Sequence, residues 1–468
     1  MITKPRRVLS RRYLLLVILL VIVYYSGIFT SHTVAPSTPQ SVETQVVSGY
    51  VKPEEHDEAK PDYIIDYGLQ KRIERETQRK RIDRKYCGRD RCQFVLPVAI
   101  TEQALRQKGM SKAQLHFRQI AFLSGKVGRT VVLPNVYLSH LGACRRYPFD
   151  FYYDDNWLKQ NKRFFNYISL KDFKMWAEER RRADSLPSGQ EVFFEISEDL
   201  AFLDKITNCM APLFENEPRR RFQLDDPEGL PRREGRNYTQ IFMDELIKSD
   251  VDVVQLFYDR RFGYIEEPEA DMPLAYHPRW HRIAEDIATK LQPFVAVHWR
   301  MERLEPLSNL MPCAQSLVKK VKGIESEQDI KFFLLTDYPH LLNTSEPESR
   351  SFKANELKLE HHEAIRHVYQ HLDVTLTTLD RSDHPVVDHE LPPSWHVYKV
   401  PAHVKPYDPG VLGIVDKLVA MRAQWFFAGK PGVCGRSSSF TSQIIYDRQA
   451  ALEAGHPSLR EAVDTFDL

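Results

Sequence analysis

The stretch Phe294-Val295-Ala296-Val297-His298-Trp299-Arg300-Met301-Glu302 changes from apolar to charged within nine residues. Its apolar, β-branched beginning follows Pro293 and predicts a short buried β-strand. The switch to His298, Arg300 and Glu302 is how an α/β protein delivers charge to the crevice at the carboxyl edge of a parallel sheet. The planar fork of Arg300 suits a phosphate, because it donates two parallel charge-assisted hydrogen bonds. An ordinary ion pair between Arg300 and Glu302 explains the same pattern, and the stretch alone does not separate the two interpretations.

Apolar runs and helical patterns alternate along the rest of the chain. Residues 94–100 predict a strand, 112–126 a helix and 129–134 a second strand. A strand–helix–strand unit of this kind implies parallel pairing. The other predicted elements are strands at 251–257, 294–298, 331–337 and 425–429, and helices at 279–291 and 411–424. This order predicts an α/β fold with two parallel-sheet domains.

The predicted division of the chain follows from these elements. We expect a cytosolic tail at 1–12, a transmembrane signal anchor at 13–29 and a lumenal stem at 30–86. An N-terminal domain at 87–250 and a C-terminal domain at 251–468 complete the division. More than 430 residues follow the anchor, which is too many for one ordinary core and enough for two.

The first 30 residues predict the topology. Tyr13 to Phe29 is an uncharged run rich in Leu, Val and Ile; five Lys or Arg residues precede it, and none follows until Lys52. The positive-inside rule keeps the short tail in the cytosol and places the rest in the lumen of the endoplasmic reticulum or Golgi, as a single-pass type II membrane protein. The alternative is a signal peptide cleaved near Ala35.

The cysteine and charge contents restrict the cellular compartment and the class of protein. Six cysteines predict disulfides in an oxidising lumen without fixing their pairing. Cys87 and Cys92 lack the second paired cluster that a zinc site needs, so they predict a small disulfide loop. Two sequons make Asn237 and Asn343 candidate glycosylation sites. Lys and Arg number 65 against 64 Asp and Glu, and this balance argues against a general nucleic-acid binder.

Three further polar motifs each have two interpretations. The loop Gly435–Phe440, with three serines, either presents N–H groups and hydroxyls to an anion or caps a helix. Asp250 and Asp252 have the spacing of a metal-binding pair, but their place at the start of a strand argues against a metal site. His361-His362 lies on a charged helix that is predicted to be exposed, which favours solvation over ligand binding. The sequence carries no P-loop and no GxGxxG motif.

The combination of motifs resembles the GDP-fucose protein O-fucosyltransferases. The likeness spans roughly residues 92 to 447. It rests on the first unit closing in Arg129-Thr130-Val131-Val132-Leu133-Pro134, on His298-x-Arg300-x-Glu302 after a strand, on a strand ending Thr336-Asp337 and on Ser438-Ser439-Phe440. The resemblance implies a GT-B fold of two Rossmann-like domains facing a cleft. It also implies an inverting reaction without a metal or other cofactor, in which GDP-fucose is the donor. The acceptor would be a hydroxyl of a protein or glycan in the secretory pathway.

The resemblance implies roles for individual residues. Arg300 would hold the β-phosphate and stabilise the departing GDP, and His298 would orient the donor. Glu102 matches a glutamate that some members use as a general base. The other donor-binding residues implied are Glu302, Asp337, Asp416, Ser438, Ser439 and Phe440, and Asp416 matches the position that hydrogen-bonds guanine.

One departure from the family pattern keeps other functions open. Lys108-Gly109-Met110-Ser111-Lys112 stands where many members carry a Gly- and Asn-rich loop that meets donor and acceptor. The alternatives are a catalytically silent lumenal binding or scaffold protein of the same fold, and a glycosyltransferase with another nucleotide-sugar donor. Guanine recognition at Asp416 separates the last of these from the leading hypothesis.

Overall fold

Strands and helices alternate through both halves of the chain. The computed structural model describes residues 67–101, 110–195, 202–223, 238–259, 274–302, 304–325, 329–336, 338, 356–380, 395–401 and 407–468. Its helices are α1 (Tyr67–Cys87), α2 (Met110–Lys126), α3 (Asn156–Gln160), α4 (Leu170–Arg182), α5 (Tyr238–Lys248), α6 (Pro278–Leu291), α7 (Leu310–Glu325), α8 (Leu359–His371), α9 (Gly410–Ala420) and α10 (Ser439–Glu453). Its strands are β1 (Phe94–Thr101), β2 (Thr130–Val132), β3 (Val136–Tyr137), β4 (His140–Leu141), β5 (Tyr167–Ile168), β6 (Ser188–Glu195), β7 (Glu215–Gln223), β8 (Val253–Asp259), β9 (Phe294–His298), β10 (Lys331–Leu335), β11 (Val374–Asp380), β12 (His396–Pro401), β13 (Trp425–Gly429) and β14 (Asp464–Phe466).

The first sheet contains β1 to β8, with β1 and β8 at its centre. The order β5-β2-β1-β8-β6-β7 is parallel throughout. The short hairpin of β3 and β4 runs antiparallel to the end of β1, where Ile100 pairs with Leu141. β1 and β8 have neighbours on both sides and are buried. This burial explains why their sequences are largely apolar runs rather than alternating patterns.

The second sheet is parallel throughout, in the order β12-β11-β10-β9-β13-β14. From β9 the chain adds β10, β11 and β12 on one side. It then crosses back to add β13 and β14 on the other side. The direction of winding therefore reverses between β9 and β13. β9 is buried along its whole length, as its apolar sequence predicts.

Both sheets contribute to one apolar core. The largest buried cluster includes Val95 and Val254 from the first sheet and Ala296 and Phe426 from the second. Helix α6, which leads into β9, packs against α9. Residues 65–468 form one compact unit. The α/β fold with largely parallel sheets agrees with the sequence-based expectation.

One strand lies in a different sheet from the one that the sequence division implies. A boundary between residues 250 and 251 assigns the next strand to the C-terminal domain. The structure instead pairs β8 with β1 and β6 of the first sheet, with Val253 opposite Phe94 and Gly189. A fully buried apolar run indicates a central strand, but it does not say which sheet the strand joins.

Helix α1 ends on the first sheet in a buried network of ion pairs. Asp83 accepts hydrogen bonds from the Trp176 indole (2.7 Å) and from the Arg180 guanidinium (2.9 Å). Arg180 also reaches Asp252 (3.2 Å), which pairs with Arg91 (3.0 Å). Asp252 thus balances two arginines before β8 begins. The stem predicted for residues 30–86 therefore ends in a helix that is docked on the sheet.

All six cysteines form disulfides. The pairs are Cys87–Cys92, Cys144–Cys209 and Cys313–Cys434. The first pair confirms the predicted small loop. The third joins α7 to the segment after β13. Neither of the two long-range pairings follows from spacing, because six cysteines allow 15 connectivities.

Several predicted features lie outside the described residues. They are the cytosolic tail (1–12), the signal anchor (13–29), the cleavage site at Ala35, the first part of the stem, the sequons at Asn237 and Asn343, and the site residues Glu102 and Asp337. Among the helices that the structure describes, none is long and apolar enough to cross a membrane.

A buried carboxylate ties the hairpin of the first sheet to the start of α9. Asp408 accepts hydrogen bonds from the backbone N–H groups of Leu138 (3.0 Å) and Gly410 (2.9 Å) and from the Tyr152 hydroxyl. The Tyr152 oxygen in turn accepts from the N–H of Ser139 (3.2 Å). Burial raises the pKa of Asp408 above its ordinary value. The packing of the hairpin against the start of α9 therefore depends on this one side chain.

Replacing Asp408 with alanine should lower the free energy of unfolding by about 2 kcal/mol or more, because it leaves buried donors without an acceptor. Asp408→Asn should cost less, since its amide oxygen can still accept from Leu138 and Gly410. Denaturant unfolding of both variants tests this.

The raised pKa of Asp408 means that the folded state favours the protonated carboxyl. The wild type should therefore gain stability relative to Asp408→Asn as the pH falls through the folded pKa towards about 4. Equal losses of unfolding free energy in Asp408→Ala and Asp408→Asn at neutral pH would contradict the assigned hydrogen bonds.

Candidate functional site

The second sheet has a switch point, at which the direction of winding reverses. In open parallel sheets, ligands bind outside the carboxyl ends of the strands where the direction of winding reverses. Here that point lies between β9 and β13, which are hydrogen-bonded neighbours with Ala428 opposite His298. The residues that follow these two strands, 299–302 and 430–440, are those in which the sequence pattern places charge and serines.

The segment after β13 is held against the end of β9. A Cβ atom at Gly429 would collide with the backbone of Cys434, so only glycine lets the chain fold back here. The Trp299 indole donates to the carbonyl of Cys434 (2.9 Å), and the N–H of Arg436 donates to the carbonyl of Arg300 (3.2 Å). These contacts fix the two segments relative to each other.

Arg300 lies between the two segments and is 9% exposed. Its Nε atom donates to Oε1 of Glu302, which is 1% exposed, and its Nη1 atom donates to the carbonyl of Ser437 (3.0 Å). The predicted ion pair is therefore present. Within the described part of the chain, Nη2 of Arg300 makes no hydrogen bond. The guanidinium is thus oriented by two partners and keeps one nitrogen for an anion.

His298 ends β9 and faces the first turn of α10. Its Nδ1 atom lies 2.6 Å from the Thr441 hydroxyl, and its ring lies 5.1 Å from the ring of Phe440. The histidine is buried. The arrangement fixes the imidazole plane beside the helix start, next to Arg300.

The serine cluster begins α10. The Ser438 hydroxyl oxygen accepts from the N–H groups of Phe440 (3.2 Å) and Thr441 (3.4 Å), so Ser438 is the N-cap of the helix. Ser439 is half-buried at the first helical position. The capping interpretation of the serine loop is therefore correct. It does not exclude the anion interpretation, since the positive end of the helix dipole lies beside Arg300.

A buried lysine supports Phe440, and no sequence motif indicated it. Lys417 on α9 is 1% exposed and donates to the Tyr276 hydroxyl (3.0 Å) and to the Gln443 side chain. Its ammonium lies 5.2 Å from the centre of the Phe440 ring. Tyr276 also accepts from Gln114 on α2 (3.3 Å). The only sequence signal is one lysine in the otherwise largely apolar helix α9.

The structure brings some of the predicted site residues together and separates or omits others. It gathers His298, Arg300, Glu302, Ser438, Ser439 and Phe440 around the ends of β9 and β13. Asp416 lies on α9, where its carboxylate accepts from the Thr377 hydroxyl of β11. Glu102 and Asp337 lie outside the described residues.

The acidic pair before β8 is engaged in ion pairs. Asp250 pairs with Arg91 (2.8 Å), and Asp252 pairs with Arg91 and Arg180. In the part of the chain with described coordinates, no group of three or more His, Cys, Asp or Glu side chains is arranged to hold a metal ion.

One expectation about the histidines is wrong. His361 was expected on an exposed helix, yet it is buried, with Nδ1 accepting from the N–H of Lys358 (3.1 Å) and Nε2 lying 3.3 Å from the carbonyl oxygen of Met301. The charged residues around it belong to the outer face of α8, and His361 lies on the inner face. Its neighbour His362 contacts the Tyr338 hydroxyl (2.5 Å).

Comparisons with known proteins give a distant likeness. No protein-family model and no curated protein matches the chain. The crystal structure of POFUT1 in complex with GDP, from a high-resolution dataset, is 14% identical with a TM-score of 0.41; the match covers 81% of this chain and 98% of that chain. The crystal structure of POFUT1 in complex with GDP-fucose, in crystal form I, is 13% identical with a TM-score of 0.41, over 80% and 97%. At this identity and TM-score the likeness carries no argument about function.

Proposed function

We propose that this chain is a glycosyltransferase of GT-B type that transfers fucose from GDP-fucose to a hydroxyl of a protein or glycan acceptor. The reaction inverts the anomeric carbon and uses no metal. The chain is a type II membrane protein of the Golgi or endoplasmic reticulum, with this domain in the lumen. The observation that carries the proposal is Arg300, whose guanidinium is oriented at the switch point by two partners, while its Nη2 atom makes no hydrogen bond to the described residues. The sequence resemblance supplies the identity of the donor.

The proposed roles follow from charge. GDP leaves with growing negative charge on its β-phosphate, and fixed donors must stabilise it where no metal does. Arg300 supplies a guanidinium, and the start of α10 at Ser438 and Ser439 supplies N–H groups and a helix dipole. His298 and Phe440 border the same crevice and orient the sugar. Glu302 sets the guanidinium plane rather than touching the donor.

The acceptor side belongs to the first half of the chain. Glu102, ahead of α2, is the proposed general base. Asp416 and Asp337 are the proposed contacts to the nucleotide. The Thr377 hydroxyl of β11 donates to Oδ1 of Asp416, so the carboxylate that we assign to guanine is held in place by the second sheet.

A second candidate function is a catalytically silent protein of the same fold, or a transferase with another donor. The observation that favours silence is the buried ion pair between Arg300 and Glu302, which neutralises the guanidinium that we assign to the diphosphate. The Lys108-Gly109-Met110 sequence, without asparagine, favours it too. Ligand specificity separates these candidates.

Thermal unfolding of the full chain in detergent should show stabilisation by GDP and GDP-fucose. A ligand at about 100 times its dissociation constant stabilises the fold by about 2.7 kcal/mol. GDP-mannose tests whether binding depends on the sugar, and UDP-sugars test whether it depends on the guanine base. The Arg300→Ala variant is the control. Stabilisation by guanine nucleotides alone that disappears in Arg300→Ala supports the proposal. Stabilisation by UDP-sugars points to another donor, and no response to any nucleotide supports the silent protein.

A further inference from the structure

His361 occupies the first turn of α8, on its buried face. It is 1% exposed, and its Nδ1 atom accepts the backbone N–H of Lys358 at 3.1 Å. A nitrogen that accepts an N–H carries no proton, so in the neutral ring the proton is on Nε2. Burial lowers the pKa of His361 below its ordinary value, which keeps the ring neutral at neutral pH.

The Nε2 proton points to the segment that carries Arg300. Nε2 lies 3.3 Å from the carbonyl oxygen of Met301, the residue between Arg300 and Glu302. On the other side, the carbonyl of Arg300 accepts the N–H of Arg436. Consecutive carbonyls of one short segment are thus held from α8 and from the segment before α10. The Met301 side chain is buried in the core of the second sheet.

We propose that His361 is a positioning residue that fixes the backbone at Met301 and thereby the direction in which Arg300 presents its guanidinium to the donor diphosphate. The inference rests on the proposed function of the site. His361 does not contact the donor. It acts because rotation of the peptide planes at residues 300–302 swings the long Arg300 side chain. A displacement of about 1 Å at a catalytic group costs as much as 10²-fold in rate.

A set of substitutions separates this role from helix capping. His361→Gln keeps an N–H donor near the position of Nε2 and loses the acceptor for Lys358. His361→Asn keeps an acceptor near the position of Nδ1 and loses the donor to Met301. The positioning role predicts that His361→Asn binds GDP about tenfold more weakly than the wild type, the loss of one well-placed hydrogen bond, while His361→Gln stays within about twofold. A role in capping alone predicts the reverse order.

A double-mutant cycle with Arg300 tests the coupling. GDP dissociation constants are measured by calorimetry for the wild type, His361→Asn, Arg300→Ala and the double variant. If His361 acts through Arg300, His361→Asn should weaken binding about tenfold in the wild-type background and leave it nearly unchanged in the Arg300→Ala background. Equal losses in the two backgrounds, or no loss in the wild type, would overturn the inference.

The two proposals fail in distinguishable ways. GDP binding that shows this coupling, in a chain with no fucosyl transfer, rejects the proposed reaction and supports the positioning role. Transfer activity with no coupling rejects the positioning role alone. If the wild type binds neither GDP nor inorganic pyrophosphate, both proposals are rejected together.

Discussion

Replacing Arg300 with alanine should lower the turnover number for transfer from GDP-fucose by about 10²–10³-fold, the usual loss when one donor to a developing charge is removed. The guanidinium is already held by Glu302 and by the carbonyl of Ser437 (3.0 Å), so it needs no reorganisation when GDP departs. Because its charge holds the diphosphate and also matters as the bond breaks, the loss should appear in kcat in addition to the weaker binding of the nucleotide. Steady-state rates with GDP-fucose, followed by GDP release, measure this change.

Matched variants distinguish a loss of catalysis from a loss of stability in Arg300→Ala. Arg300→Ala leaves Glu302 buried without its counter-ion, and an uncompensated buried charge is itself destabilising. Arg300→Ala combined with Glu302→Gln removes that charge and should restore the unfolding midpoint without restoring turnover. Arg300→Lys keeps the charge but loses the fork, and its turnover should lie between wild type and alanine. Near-full turnover in Arg300→Ala would remove Arg300 from the reaction and with it the main support for the proposed site.

Three of the buried parallel strands were predictable from sequence to within one residue. The apolar runs at 294–298 and 425–429 have the same bounds as β9 and β13, and the run at 94–100 falls one residue short of β1. A strand with neighbours on both sides and helices on both faces must be apolar throughout. Such runs are visible without knowledge of the fold, and their carboxyl ends mark the crevice.

Properties that depend on pairing were not predictable. The run that became β8 has no feature that distinguishes the first sheet from the second. The parallel pair β6 and β7 lies in a region whose many aromatic and Arg residues show no clear period. The partners of Cys144 and Cys313 are residues distant in sequence. Each of these depends on contacts between distant segments, which a local pattern does not contain.

The candidate site, too, was predictable in its residue types but not in its contacts. The residue types at His298, Arg300 and Ser438 indicated a charged crevice, but the sequence left both interpretations of each motif open. In two cases the structure contains the purely structural interaction: Arg300 pairs with Glu302, and Ser438 caps α10. Both residues nevertheless lie where the functional interpretation needs them. His361 was misjudged because its charged neighbours in sequence lie on the opposite face of the same helix.

Arg448 is a buried side chain outside the site whose loss should destabilise the fold strongly. It lies on α10, is 0% exposed, and uses all five of its N–H groups on backbone carbonyls. Its partners are the carbonyls of Ala420 (3.0 Å), Ala423 (2.6 Å), Gln424 (3.3 Å), Glu461 (2.7 Å) and Ala462 (3.0 Å). Burial lowers its pKa to about 10, which still leaves it charged at neutral pH. One guanidinium therefore joins the end of α9, the middle of α10 and the segment before β14.

Arg448→Met should lower the free energy of unfolding by about 3 kcal/mol or more, because it leaves several buried carbonyls without donors and each such hydrogen bond to a charged group contributes about 1.5–3 kcal/mol. Arg448→Lys has only three donors on a point charge and should recover part of the loss. The exposed Arg84, which pairs with the exposed Asp90, provides the control, since Arg84→Met should change stability by less than about 1 kcal/mol. Denaturant unfolding followed by tryptophan fluorescence measures all three. Since Ser438 caps α10, the helix that carries Arg448, the same variant should also weaken GDP binding. Unchanged stability in Arg448→Met would mean that the five hydrogen bonds do not hold these segments together.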